Sequence, residues 1–348
     1  MHRRIRLLLI VTAIVLTTLG ALLPAGSTAR AAGSTTTTPL TSPKTIPHDA
    51  TTIVLQRSLS LSAGEKRHVR ARIDTTSSTT LVVALTLVIR CRDSSGALVG
   101  LGRAVARNHE GYDAPYKITG RLPLYADALL TAPSAGTYTC AMEAWTASSA
   151  TSNYHLTAVA NDTWLQISDI DQTGAQQLTN PACDSKGTFA SCTYLGAGTN
   201  TMWLFYSDGT PAQTWAASAT ATGVDVAASY TVTTCPTGTA SCQQSFLAPY
   251  QKPSGSVNTV VTATLEVIQL DATRHTCATT STSTTATVSD AAHHFAFSQT
   301  LSAVPIRSDC GSRDFVVRVR IDRVSGQPLK IDGTQNTTAL ATAVVKNR

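Results

Sequence analysis

Along most of this chain, apolar residues recur at every second position, the spacing of half-buried β-strands and not of helices. Leu81, Val83, Leu85, Leu87, Ile89 and Cys91 share one such face, and Tyr138, Cys140, Met142 and Ala144 share another. Val224, Val226, Ala228, Tyr230 and Val232 repeat the pattern. So do Phe315, Val317, Val319 and Ile321, with Arg318, Arg320 and Asp322 turned the other way. Turn signals separate the runs, among them Asp93-Ser94-Ser95-Gly96, Ser207-Asp208-Gly209 and Pro253-Ser254-Gly255. Helical periodicity is scarce; residues 96–110 and 122–130 are the stretches with room for a turn or a short helix. The expected fold is all-β: two antiparallel β-sandwich domains, jelly-roll or immunoglobulin-like, stapled by disulfides.

A core of that size is within reach, because 43% of the 348 residues are hydrophobic. Charged residues make up only 14%, which argues against a coiled coil or a charge-rich disordered chain. The formal charge of +6 includes Arg3, Arg4, Arg6 and Arg30; without them 23 basic residues face 21 acidic ones. That balance leaves no nucleic-acid footprint, and none is expected as a partner. The charges are unevenly placed, and no arginine occurs between Arg121 and Arg274. The expected cut is near Asn161, giving domains of residues 44–160 and 161–348. One continuous sandwich with two dissimilar halves is the alternative.

The first thirty-odd residues read as an address. A basic start precedes the uncharged stretch 7–23, and Ala29-Arg30-Ala31 is an A-x-A cleavage site. Residues 1–31 are expected to be a signal peptide, leaving a secreted chain that starts near Ala32. If uncleaved, the segment is an N-terminal membrane anchor, and that is the membrane contact expected. Residues 32–43 (AGSTTTTPLTSP) read as a solvated tether.

Several short motifs in residues 51–160 belong together. They are Leu59-Ser60-Leu61-Ser62-Ala63-Gly64-Glu65, Leu85-Thr86-Leu87-Val88-Ile89 ahead of Asp93-Ser94-Ser95-Gly96, Ala135-Gly136-Thr137-Tyr138-Thr139-Cys140, and Tyr154-His155-Leu156-Thr157. With them this region resembles the pre-peptidase C-terminal modules appended to secreted bacterial enzymes. The resemblance implies a small sandwich and no activity of its own. The paired aspartates that family often carries in its middle strand are absent. A tyrosine two residues before a cysteine also resembles the tyrosine corner of immunoglobulin-like domains, but no tryptophan lies between Cys91 and Cys140.

No catalytic signature stands out. G-x-S-x-G, H-E-x-x-H, a glycine-rich phosphate loop and Cys-x-x-Cys are all missing. His293 and His294 are adjacent, so in a strand they point to opposite faces. His275 lies near Asp271 and Cys277. Asp169-Ile170-Asp171-Gln172-Thr173-Gly174 has the look of a calcium loop, with Asn180 where an EF-hand needs glutamate. No catalytic, cofactor or metal residue is therefore assigned, and no cofactor is expected. Lys66, His68, Arg70 and Arg72 would share a strand face and form a basic stripe, read as a solvated face or a polyanion site. Trp145, Trp164, Trp203 and Trp215 are candidates for a sugar-binding surface, with core or rim packing the favoured reading of each because large aromatics are usually buried.

The expected function is that of a secreted, non-catalytic protein binding a cell-surface, cell-wall or other extracellular ligand. An alternative is an inhibitor of an extracellular enzyme, presenting disulfide-held loops between Cys183 and Cys192 and between Cys235 and Cys242. A further alternative is a hydrolase built from scattered Asp, His and Ser residues. Eight cysteines in an exported chain form an even set. Cys183–Cys192 and Cys235–Cys242 enclose short turn-rich loops, and Cys91 and Cys140 lie on apolar strand faces. Cys277–Cys310 follows by elimination.

Overall fold

The computed structural model describes residues 34–99, 103–109, 121–148, 151–170, 174–181, 194–195, 200–205, 214–234, 258–288, 294–331 and 340–348. The expected leader, and the turns at 207–209 and 253–255, lie outside them. The first ten strands are β1 (Thr35–Pro39), β2 (Lys44–Pro47), β3 (Thr52–Leu61), β4 (Lys66–Ser77), β5 (Val83–Arg92), β6 (Arg103–His109), β7 (Leu122–Thr131), β8 (Gly136–Ala147), β9 (His155–Ala158) and β10 (Trp164–Asp169). Then come β11 (Gln176–Pro181), β12 (Tyr194–Leu195), β13 (Thr201–Leu204), β14 (Thr214–Ala216), β15 (Gly223–Thr234) and β16 (Thr259–Leu270). The last five are β17 (Thr276–Val288), β18 (His294–Pro305), β19 (Asp314–Ser325), β20 (Leu329–Ile331) and β21 (Leu340–Asn347).

Every pairing between these strands is antiparallel. In the first sandwich, the sheet β3-β8-β5-β6 covers one in which β4 is flanked by β7 on one side and by β10 and β9 on the other. In the second, β11-β21-β15-β20-β12 with β18 faces β13-β19-β16-β17 with β14. The alternation read from sequence fills both cores, save for Leu81, which precedes β5 and is exposed. Leu85, Leu87, Ile89, Tyr138 and Met142 meet Val69, Ile73, Leu124 and Leu165 in the first. Val226, Tyr230 and Val232 meet Leu265, Val317, Val319 and Ile321 in the second. Both cores lie in one compact unit, Ala31–Arg348. The first core draws on residues as late as Ile167 and the second begins at Leu178, so β10, beyond the expected cut at Asn161, completes the first sandwich.

Three local expectations change. Residues 35–39 of the expected tether form β1, which pairs with β10 over its whole length. Threonine is at home on a pleated surface, and a Thr-rich run becomes strand wherever an edge is available. Residues 122–130, thought open to a helical turn, are strand β7, because Leu122, Leu124, Ala126, Ala128 and Leu130 point inward with period two. Within residues 96–110, β6 pairs with β5 from Arg103 to His109.

The turns follow their chemistry. Asp93 Oδ1 accepts the backbone N–H groups of Ser95 and Ala97 at 2.9 and 3.0 Å, and Gly96 takes φ 84°. Tyr138 Oη donates to the Ser134 carbonyl at 2.6 Å, a tyrosine-corner contact that fixes the entry to β8.

Two disulfides are present among the described residues. Cys91 and Cys140 are direct cross-strand partners on β5 and β8, with Cα atoms 3.9 Å apart and side chains turned into the core. Cys277–Cys310 ties the start of β17 to a short 3-10 turn, Ser308–Cys310. The expected 183–192 and 235–242 pairs fall outside the described residues. The Cys91–Cys140 crosslink spans 49 residues, for which loop-closure entropy gives about 4 kcal/mol. Cys140→Ser should cost roughly that much in urea unfolding, and a loss below about 1 kcal/mol would contradict a structural role.

Candidate functional site

The outer face of the first sandwich, on β1, β10, β4 and β7, is where the sequence places its densest chemistry. Val69, Ala71 and Ile73 of β4 point into the core, so His68, Arg70 and Arg72 point away from it. Register then lines up residues from distant parts of the chain. Trp164, Arg72 and Tyr125 stand side by side on three strands, with Pro39 opposite Trp164 on the fourth. The next row on this face is Thr37, Gln166, Arg70 and Asp127.

No aromatic residue adjoins the stripe along the sequence, and both of its aromatics arrive across strands. Tyr125 and Trp164 meet edge-on with centroids 6.3 Å apart. The guanidinium carbons of Arg70 and Arg72 lie 5.4 and 5.7 Å from the Tyr125 ring centre, within cation–π range. Arg72 also donates from Nη2 to Asp74 Oδ2 at 3.2 Å, but its buried Nε meets no acceptor among the described residues. Arg121 closes this end, donating to Asp74 Oδ1 at 3.1 Å and to Asp162 Oδ2 at 2.6 Å. The Arg121 hydrogen bond holds Asp162 below the ordinary carboxylate range. Trp164, Tyr125 and Gln166 are half-buried, so part of each reaches solvent.

The other end of the face is shut. Asp127 is 1% exposed. It accepts from Ser229 Oγ of β15 at 2.7 Å and lies 2.9 Å from His68 Nε2 and 3.7 Å from Arg70 Nε. Arg70 reaches β18 as well, donating to Ser298 Oγ at 3.2 Å. Burial pushes the Asp127 carboxyl up. The His68 hydrogen bond, the charges of Arg70 and His68, and the Ser229 hydroxyl outweigh that and hold it below the ordinary range. Lys346 of β21 is pushed down by burial, with Asp225 and Asp127 opposing.

Ser229, Asp127 and His68 are the residue types of a hydrolytic triad in the wrong order. The carboxylate sits between serine and histidine, so the imidazole does not reach the hydroxyl as it would in a triad. The arrangement joins two sandwiches.

The remaining expected sites disperse. Lys66 Nζ donates to the Ala175 carbonyl at 2.9 Å, and Arg67 pairs with Glu65 and, at 2.8 Å, with Asp169. The basic stripe is thus spent on internal partners, which corrects the reading of a solvated face. Asp169, first of the calcium-like loop, also accepts from Ser34 Oγ at 3.2 Å, while residues 171–173 lie outside the described residues. Asp271 Oδ1 accepts the Thr273 and His275 N–H groups at 2.8 and 2.9 Å, making a surface turn and no catalytic pair. His294 is buried on β18, and His293 is outside the described residues. Trp215 packs on Phe315, and Arg318 lies 4.3 Å from the Trp203 ring centre. Trp145 is half-buried on β8.

No protein-family model matches this chain, and no curated protein does. Among solved structures, the tandem CBM22 domains of Paenibacillus barcinonensis Xyn10C align over 89% of this chain and 93% of theirs, at 12% identity and a TM-score of 0.25. Infectious bursal disease virus, Gx strain, aligns over 89% and 76%, at 10% and 0.26. The cowpea mosaic virus top component aligns over 96% and 94%, at 9% and 0.22. Likenesses this distant say nothing of what this chain binds.

The buried carboxylate makes a prediction with a definite sign. A folded-state pKa below the unfolded value of about 3.9 adds stability above that pH, lost as pH falls through the folded value. Asp127→Asn leaves His68 and Arg70 without their counter-charge and should cost about 3–5 kcal/mol at pH 7. Urea titrations of both proteins should show that gap narrowing below about pH 4. A gap that is constant with pH would contradict the assignment.

Proposed function

We propose that this chain is an exported, non-catalytic β-sandwich protein that holds an extracellular or cell-wall saccharide on the Trp164–Arg72–Tyr125 row. The disulfides support export, since such bonds persist in oxidising compartments. The observation that carries the ligand reading is the row itself: two half-exposed aromatic rings flank a half-exposed guanidinium. Aromatic faces accept the apolar C–H faces of a sugar ring, and polar groups beside them fix its hydroxyls. Gln166 and Thr37, already bonded at 3.2 Å, extend the polar margin on the β1 side.

Charge argues for a ligand read by stacking and not by net charge. Arg72 and Arg121 are balanced by Asp74 and Asp162, and Arg70 by Asp127. A polyanion would meet a face already neutralised, with no long positive stripe left to it.

Cell-wall fractions and a panel of soluble glycans, incubated with the mature chain, test this reading. Trp164→Ala and Tyr125→Ala should each weaken binding about tenfold or more, the loss of one stacked ring, with melting temperatures unchanged. Equal binding by wild type and both variants would overturn the site. Release of shortened glycan during the incubation would overturn the non-catalytic assignment.

A further inference from the structure

The edges of the sheets are not equally protected. An edge strand presents an unpaired row of N–H and C=O groups, and proteins guard such rows with charges, prolines or short lengths. Here β1, β2, β7, β11 and β18 carry Pro39, Pro47, Pro123, Pro181 and Pro305. Arg57 stands on β3, and Arg103, Arg107 and His109 on β6. Strands β12, β13 and β14 are two to four residues long. Among the described residues the exception is β17.

β17 ends the sheet β13-β19-β16-β17 and runs for 13 residues, TCATTSTSTTATV, without a charge or a proline. At about 3.3 Å per residue that is an edge of roughly 43 Å. It is hydroxyl-bearing on both faces. Thr279, Ser281, Ser283, Thr285 and Thr287 are exposed on the outer one, and Thr280, Thr282 and Thr284 are half-buried or exposed on the inner one. Its inner hydroxyls stand where the other strands of this sandwich send apolar side chains to the core. Among the described residues it is held by the β16 ladder, by the Cys277–Cys310 bond at its start and by Val288, buried in the second core at its end. Gln299 of β18 approaches one of its carbonyls, Thr282 O, at 3.4 Å.

We propose that the edge of β17 left unpaired among the described residues pairs, antiparallel and about a two-fold axis centred near Thr282, with β17 of a second copy of this chain. The strand complements itself. In that arrangement every cross-strand neighbour is Thr, Ser, Ala, Cys or Val, so no like charges meet. Hydroxyl-to-hydroxyl pairing is already the language of this sheet, with Thr262 and Thr285 at 2.9 Å and Thr264 and Ser283 at 2.9 Å. A charged partner would find nothing on β17 to read. An isologous contact also consumes both edges, so association stops at the dimer.

Sedimentation velocity on the mature chain over a concentration series should show a monomer–dimer equilibrium. In hydrogen exchange, β17 amides should gain protection as concentration rises. Thr279→Lys with Thr285→Lys puts like charges opposite one another across the axis and should weaken the dimer about tenfold or more. The same number of lysines on β3, Ser58→Lys with Ser60→Lys, should leave it intact. A wild type that stays monomeric with unprotected β17 amides would overturn the proposal. So would a β17 double variant that dimerises as well as wild type.

Discussion

One buried carboxylate holds the architecture together. Asp127 leaves water almost completely, and an isolated charge cannot do so at acceptable cost. It is tolerated because His68 and Arg70 come from the neighbouring strand of its own sheet and Ser229 from the other sandwich. The carboxylate therefore specifies a relation between two sandwiches that either apolar core alone would leave free.

Around it lies a seam of a different character from the cores. The side of β15 and β21 that turns away from the second core is buried too, and it carries Ala227, Ser229, Thr231, Thr233, Thr342 and Val344. Small and hydroxyl-bearing residues suit a layer in which sheet backbones approach closely and every buried polar atom needs a partner. Leu129 N–H donates to Gln177 Oε1 at 2.8 Å across the same junction, and Ala296 of β18 packs on the first core. The Trp164–Arg72–Tyr125 row lies on the same sheet face, beside this seam. Arg70 serves both: it stacks on Tyr125, balances Asp127 and reaches Ser298. The rigidity of the proposed binding row is thus tied to the integrity of the seam.

The inward faces were legible in the sequence because a core imposes period two on the apolar strands that line it. Cys91 with Cys140 was legible for the same reason: both sit at inward positions of apolar strands. Less legible were segments whose own pattern is neutral. A run of threonines reads as tether or strand alike, and only the open edge of β10 turns residues 35–39 into β1. The aromatic row was hidden because its members are set by register across three strands, which local spacing does not encode. The fate of the basic stripe was hidden likewise. Its partners Asp127 and Ala175 lie far along the chain, and Ser298 on another sandwich.

Differential scanning calorimetry on wild type and Asp127→Ala tests most directly whether this carboxylate couples the two sandwiches. A coupled molecule melts in one transition whose calorimetric and van't Hoff enthalpies agree. Removing the carboxylate should split that transition in two, one for each core. A wild type that already melts in two steps, or a variant that still melts in one, would contradict the account.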